Sequence, residues 1–270
     1  MSAVPAVSAM SDQPFVLRQD AEGIATLTLN RPQVRNALSQ GMIEALRAAL
    51  AAVAADDGVR VVILAGAGPA FCAGHDLREM RGADYTRGYT EKLFADCAEL
   101  MKAIVRCPKP VIARVHGIAT AAGAQLVASA DLAVAASDAR FATPGVNIGL
   151  FCSTPMVALS RNLAPKQAMQ MLLLGDLVDA ATALRFGLVN QLAAPAELES
   201  ATLELARKIA AKSPLTLAIG KEAFYRQAEM PLDEAYAYAG DVMVRNLETE
   251  DAREGIGAFL EKRAPTWCGR

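Results

Sequence analysis

Apolar residues fall along this chain in two rhythms: short β-branched runs, and stripes at helical spacing. Residues 15–19 and 24–29 are β-type runs separated by Asp20-Ala-Glu-Gly23, which predicts a hairpin. After a turn at Asn30-Arg-Pro32, Ser39 is a candidate N-cap. Ile43, Leu46, Leu50 and Val53 then recur at helical spacing until Asp56-Asp57-Gly58 ends the stripe. Residues 59–65 are almost continuously apolar, as in a strand covered on both faces, and lead into a glycine-flanked loop, 66–74.

Beyond a polar region around 81–89, a helix is predicted over 90–106, closing ahead of Pro108-Lys-Pro110. The order then repeats: strand 111–115, turn His116-Gly117, a short helix of small residues over 121–129, and strand 132–135. This alternation suggests stacked ββα units. Thr154-Pro155 reads as an N-cap with proline at the first helical position, opening a helix that ends at Asn162. Helices over 165–174 and 179–186 follow, the latter stopped by Gly187. The remainder predicts helices alone, over 197–211, 214–226, 232–247 and 249–262. The expected organisation is a leader at 1–12, an α/β core at 13–195 and a helical region at 196–270.

Composition narrows the function. With 270 residues, 53% of them hydrophobic, the chain can bury the core of one large α/β domain. A net charge of −2 and a pI near 5.8 supply no basic field for nucleic acid or an anionic membrane. Cys72, Cys97, Cys107, Cys152 and Cys268 are irregularly spaced and lack a C-x-x-C pair, which suggests neither a disulfide framework nor a metal site. Residues 1–12 show no export or organelle pattern, and the longest uncharged apolar stretch, 117–130, is too short to span a membrane. The expectation is a soluble, cytoplasmic protein.

Two segments carry the chemical argument. Ala70-Phe-Cys-Ala-Gly-His-Asp-Leu77 leaves a buried strand through a loop and enters a helix near Asp76. His116-Gly-Ile-Ala-Thr-Ala-Ala-Gly-Ala-Gln-Leu126 does the same with small residues that permit close backbone approach. Alone, the first reads as an ordinary strand-to-helix turn and the second as tight helix–strand packing. Together they place two helix starts, with N–H groups that lack intrahelical partners, after neighbouring strands. Such a pair can aim one N–H each at a single carbonyl oxygen, as an oxyanion hole.

These segments, with Leu29-Asn-Arg-Pro32, Asn36-Ala-Leu38 and Phe141-Ala-Thr-Pro144, resemble the enoyl-CoA hydratase/isomerase (crotonase) superfamily in sequence, order and spacing, from about residue 15 to 263. The resemblance implies an α/β spiral of ββα units with a C-terminal helical trimerisation region, assembling as a homotrimer or a dimer of trimers. It implies an acyl-CoA thioester as ligand, with coenzyme A as part of the substrate and no separate cofactor or metal. On the matching positions, the N–H groups of His75 and Ala122 form the oxyanion hole. Ala37, Ala73, Asp76, Leu77 and Pro144 lie along the CoA moiety, Arg35 lies near its phosphates, and Lys262 is in a region that can reach the CoA of an adjoining subunit.

The chain departs from that pattern where acid–base chemistry is carried. The two glutamates that add water in the superfamily's hydratases are matched by Gln125 and Gly145, and a third acidic position by Ser153. An amide has no useful pKa and glycine has no side chain, so neither exchanges protons near neutrality. His75, Thr120, Cys152 and Ser153 remain nearby, and His75 is the titratable candidate. His116 and Asp131 read as turn residues, and Cys152 as a buried hydrophobe. Three functions stay open: a hydratase/isomerase with a reduced acid–base set, a decarboxylase of malonyl- or methylmalonyl-type thioesters, and a non-catalytic acyl-CoA-binding protein.

Overall fold

The computed structural model describes residues 13–82 and 86–270, so the expected leader at 1–12 lies outside the described residues. Strands β1 (Val16–Ala21) and β2 (Ile24–Leu29) form the expected hairpin, in a register that runs from Val16 opposite Leu29 to Ala21 opposite Ile24. Its turn is shorter than the sequence suggests. Glu22 and Gly23 both take positive φ, 54° and 74°, which matches the twist of the flanking strands, so Asp20 and Ala21 stay in the ladder. Helix α1 (Gln40–Ala54) starts at Ser39, whose hydroxyl accepts from the Met42 N–H, and buries Met42, Ile43, Leu46, Leu50 and Val53.

The chain then winds through β3 (Val61–Gly66), α2 (Leu77–Met80), α3 (Arg87–Arg106), β4 (Val111–Val115), β5 (Ile118–Thr120), α4 (Ala122–Ser129), β6 (Leu132–Ala136) and β7 (Arg140–Ala142). Next come α5 (Ser153–Asn162), α6 (Pro165–Leu174), β8 (Val178–Asp179), α7 (Ala180–Phe186), β9 (Gln191–Ala193) and α8 (Leu198–Ala210). Helices α9 (Pro214–Gln227), α10 (Leu232–Leu247) and α11 (Glu250–Glu261) end it. Among the described residues, the outer sheet has the order β1-β2-β3-β4-β6-β9 and is parallel beyond the first hairpin. The inner sheet has the order β5-β7-β8.

The winding is a ladder of repeats. β4 goes to the outer sheet, β5 to the inner one, and α4 closes the unit; β6, β7 and α5 repeat it. Two earlier turns contribute single bridges in place of inner strands: Leu38 pairs with His75, and Cys72 with Ala119. The inner layer therefore runs from Leu38 through the 72–75 segment to β5 and β7. Between the layers and the helices lies one apolar core containing Leu27, Ile43, Ile63, Phe71, Ile112 and Phe141.

One helix start differs from the sequence expectation. α5 begins at Ser153, capped by Cys152 rather than Thr154, which places Pro155 at the third helical position. That position still needs no intrahelical N–H, so the proline fits. Asp131, expected as a turn residue, is a polar hub: it pairs with the buried Lys221 ammonium at 2.6 Å and accepts from the Val111 N–H at 2.7 Å and the Tyr225 hydroxyl at 2.9 Å. Lys221 also donates to the Ile104 and Lys109 carbonyls, each at 3.1 Å, so α9 is tied to the core by satisfied hydrogen bonds. The C-terminal tail is fastened by buried Asp251, which accepts from Ser213 Oγ and from the N–H groups of Cys268 and Gly269.

Candidate active site

The segment 71–76 is held from both sides by backbone bonds. On one side the Ala73 N–H donates to the Arg35 carbonyl at 3.0 Å, Leu38 N–H to Gly74 O at 2.7 Å, and Asp76 N–H to Leu38 O at 3.0 Å. On the other, Phe71 N–H donates to His116 O at 3.1 Å, Cys72 N–H to Ile118 O at 3.1 Å, and Thr120 N–H to Cys72 O at 3.0 Å. The Thr120 hydroxyl adds a bond to Ala73 O at 3.0 Å. In this register His75 turns its own N–H away from Leu38, and that amide has no acceptor among the described residues.

The Ala122 N–H is the first of α4 and likewise has no acceptor among the described residues. Its direction is set by Ala121, which sits at φ 51°, ψ −117°, a conformation that alanine rarely adopts and that costs about 1–3 kcal/mol. The Ala121 N–H donates to Ala142 O at 2.9 Å, holding the turn to β7. Glycines bring the two loops into contact. Gly74 has φ 95°, and a Cβ there would lie 2.9 Å from both Ala121 Cβ and Thr120 O and 3.4 Å from the Ala122 nitrogen. A Cβ on Gly123 would lie 2.1 Å from Cys72 O. The residue before one free N–H thus packs against the other, on a backbone fixed by surrounding bonds.

His75 stands edge-on to Phe94, ring centroids 5.2 Å apart, and neither ring nitrogen has a protein hydrogen-bond partner. Burial pushes its pKa below the ordinary histidine value, opposed in part by the nearby Leu38 backbone, which leaves the ring neutral at pH 7. Gln125 is 4% exposed and its Oε1 is unpartnered; Thr143, fully buried, has an unpartnered hydroxyl. Gln125 follows Ala122 by three residues on α4, so it shares that face of the helix. Thr143 follows Ala142, the partner of Ala121. His75, Gln125 and Thr143 therefore lie about one turn, and each brings a buried side-chain atom without a partner among the described residues.

Gly145 carries more than a missing carboxylate. A Cβ there would meet Leu150 O at 2.5 Å and Cys152 Sγ at 2.9 Å, so the following loop has closed over the position. Ser153 is exposed at the start of α5, its hydroxyl returned to Phe151 O at 3.3 Å. Arg35 is exposed, Ala37 is buried and Leu77 is exposed beside them; Pro144 is half-buried. Asp76 caps α2 and pairs with Arg31 at 3.2 Å, which ties it to structure as well as to any ligand. Lys262, the left-handed cap of α11, is exposed at the far end of the helical region. Asn36, named in the sequence only as part of Asn36-Ala-Leu38 and given no role of its own there, is fully buried at φ 54°. It accepts from the Arg31 N–H and donates to the Ala67 and Ala70 carbonyls at 2.9 and 2.8 Å, joining the loops after β2 and β3.

The enoyl-CoA hydratase/isomerase family model matches residues 19–270. The chain belongs to this family. The family's spiral fold is shared with a Mycobacterium smegmatis enoyl-CoA hydratase, 55% identical with a TM-score of 0.92 over 94% of this chain and 99% of that one. It is also shared with the human enoyl-CoA hydratase domain-containing protein 3, 43% identical with a TM-score of 0.91 over 94% of this chain and 100% of that one. In sequence, the chain is 44% identical to the mitochondrial enoyl-CoA hydratase domain-containing protein 3 of Rattus norvegicus, covering 95% of this chain and 85% of the relative. The chain thus resembles the enoyl-CoA hydratase domain-containing protein 3 group in sequence and fold alike. No helix among the described residues of this family member is long and apolar enough to cross a membrane.

Proposed function

We propose that the chain is an enoyl-CoA hydratase/isomerase-type enzyme that holds a CoA thioester with its carbonyl oxygen between the His75 and Ala122 N–H groups and acts by stabilising the enolate. The observation that carries this reading is the pair of amides without acceptors, locked by bonded neighbours and brought together by Gly74 and Gly123. Two pre-aimed donors stabilise negative charge on oxygen without reorganising during the reaction, each typically worth about 10²–10³ in rate. Gln125 can orient a water molecule but cannot take its proton, so hydration in this pocket is slow. CoA enters as part of the substrate, along Arg35, Ala37, Ala73, Asp76, Leu77 and Pro144, and no further cofactor is called for.

Decarboxylation of a malonyl- or methylmalonyl-type thioester is the second reading, favoured by the neutral, half-buried His75, whose two ring nitrogens are shielded from solvent and have no protein partner. Loss of CO₂ generates the enolate directly and needs no base. The two readings separate on a thioester panel. Slow addition of water to crotonyl-CoA, largely indifferent to His75→Ala, supports the first. Release of CO₂ from malonyl- or methylmalonyl-CoA, reduced about 10²-fold by His75→Ala, supports the second. Tight binding of every thioester without turnover would leave a non-catalytic acyl-CoA-binding protein.

The proposed assembly is a homotrimer or a dimer of trimers. α10 buries no residue within the chain, and Leu232, Tyr236, Met243, Val244 and Leu247 are exposed along it. A helix that leaves so much apolar surface in water fits a face covered by another subunit. Light scattering on the purified chain is expected to give a trimer or hexamer mass, and Tyr236→Lys with Leu232→Lys to reduce it; a monomer at micromolar concentration contradicts the assignment. The cytoplasm is the proposed compartment, in keeping with free cysteines; the mitochondrial label belongs to the rat relative.

A further inference from the structure

The position that closes over Gly145 presents a nucleophile. α4 and α5 lie side by side and run in the same direction. At their C-terminal ends Asn162 Nδ2 donates to Ala128 O at 2.8 Å. At their N-terminal ends Ala121 is bonded to Ala142, and three residues further on Gly145 packs against Cys152, the cap of α5. The Cys152 thiol is thus delivered to the same end of the helix pair as the Ala122 N–H. Its sulfur occupies space directly over Gly145, 2.9 Å from where a Cβ would stand. A buried cysteine alone would carry nothing. Here the same end of the pair also holds Gln125 and Thr143, both more than nine-tenths buried and both with polar atoms that find no protein partner. Buried polar atoms of that kind call for a partner from a ligand.

Resting on the thioester reading above, we propose that Cys152 captures α,β-unsaturated CoA thioesters covalently, as a thioether at C3. The conjugated double bond of such a ligand is electrophilic at C3, and more so when its carbonyl oxygen is held by two N–H donors. In the step, the sulfur–C3 bond forms while the C2=C3 π pair moves through C1 onto the oxygen, where the His75 and Ala122 amides stabilise the enolate. The thiol gives up its proton to water before the sulfur adds, and C2 takes one back from water as the enolate collapses, so that the net change is addition of S–H across C2=C3. Every atom of thiol and thioester is retained, no bond order is left unbalanced, and no oxidant or second reactant is required. The reverse elimination regenerates both. A pocket with carboxylates would turn the enoyl group over by adding water; with Gln125 and Gly145 in their places, the thiol is the nucleophile left.

The environment sets the pH dependence. Burial holds the Cys152 thiol above its ordinary range, with the Gly145 backbone pulling the other way. Capture is therefore slow at neutral pH and accelerates as pH rises, since the thiolate adds. Cys72 and Cys97, both pushed up to about 12 by burial, and Cys107, raised for the same reason, do not compete; exposed Cys268 is the background site.

The test is intact mass and peptide mapping of the full-length protein incubated with crotonyl-CoA at pH 7 to 9. The expected result is one crotonyl-CoA adduct on Cys152, with a rate that saturates in ligand and rises with pH. It is blocked by saturated butyryl-CoA, lost in Cys152→Ser and Cys152→Ala, and retained in Cys268→Ser. Butyryl-CoA affinity by calorimetry, measured on the wild type and each variant, shows that the pocket is intact. Butyryl-CoA binding with no adduct at Cys152, or an adduct confined to Cys268, overturns the covalent step and leaves the thioester reading standing. No butyryl-CoA binding overturns both.

Discussion

Gly123→Ala is expected to destabilise the protein by about 3 kcal/mol and to abolish thioester binding in whatever fraction still folds. The new methyl group would lie 2.1 Å from Cys72 O and 2.8 Å from Cys72 C, both backbone atoms of the segment that carries His75. Nothing flexible can yield there. Cys72 is pinned through its own N–H to Ile118 O and through its carbonyl to the Thr120 N–H, so relief requires α4 to move away from the 71–76 segment. That movement separates the two free amides. Urea unfolding and calorimetry with an acyl-CoA check the two effects together. A variant of wild-type stability that still binds would show that the loops do not meet as described. Ala121→Gly provides the converse control: it removes the strain at φ 51° and should cost little or no stability.

The second large effect concerns the missing carboxylates. Gln125→Glu alone is expected to raise crotonyl-CoA hydration by about 10²-fold or more, because a carboxylate on the Ala122 face of α4 supplies the base that an amide cannot. Burial will raise that group's pKa, so the gain should grow as pH increases through its titration. Gly145→Glu is expected to add nothing. A side chain at that position collides with Leu150 O and Cys152 Sγ, and accommodating it would unseat the start of α5. The double variant should be less stable than Gln125→Glu and no faster. A double variant that hydrates far better than the single would mean that the 145–152 loop opens readily, and that Gly145 lost only its acid.

Much of this was legible in the residue pattern. The stripe Ile43, Leu46, Leu50, Val53 and the N-cap at Ser39 located α1, and the apolar runs located β3 and β4, because long periodic segments carry their own signal. The inner sheet was not. β5, β7 and β8 are three residues long or shorter, too brief for an alternation, and their pairing is set by the winding of the whole chain. Thr154-Pro155 misled by two residues: a proline fits the first helical positions generally, so it marks a helix start without fixing its first residue. The two loops could be matched by their small residues, and the absence of both glutamates could be read directly. Three features needed three dimensions: the closure of Leu150 and Cys152 over Gly145, the edge-on contact of His75 with Phe94, and the junction made by Asn36. Each joins residues far apart in sequence, or depends on a backbone path that no local spacing encodes.

The central claim is that two backbone amides polarise a thioester carbonyl, and the most direct measurement is the ¹³C resonance of C1 in labelled butyryl-CoA, free and bound. The account predicts a downfield shift on binding, with a matching fall in the carbonyl stretching frequency, as the oxygen accepts from His75 and Ala122. A ligand that binds with its C1 resonance and carbonyl stretch unchanged would contradict it, since the thioester would then sit in the pocket without touching the amides.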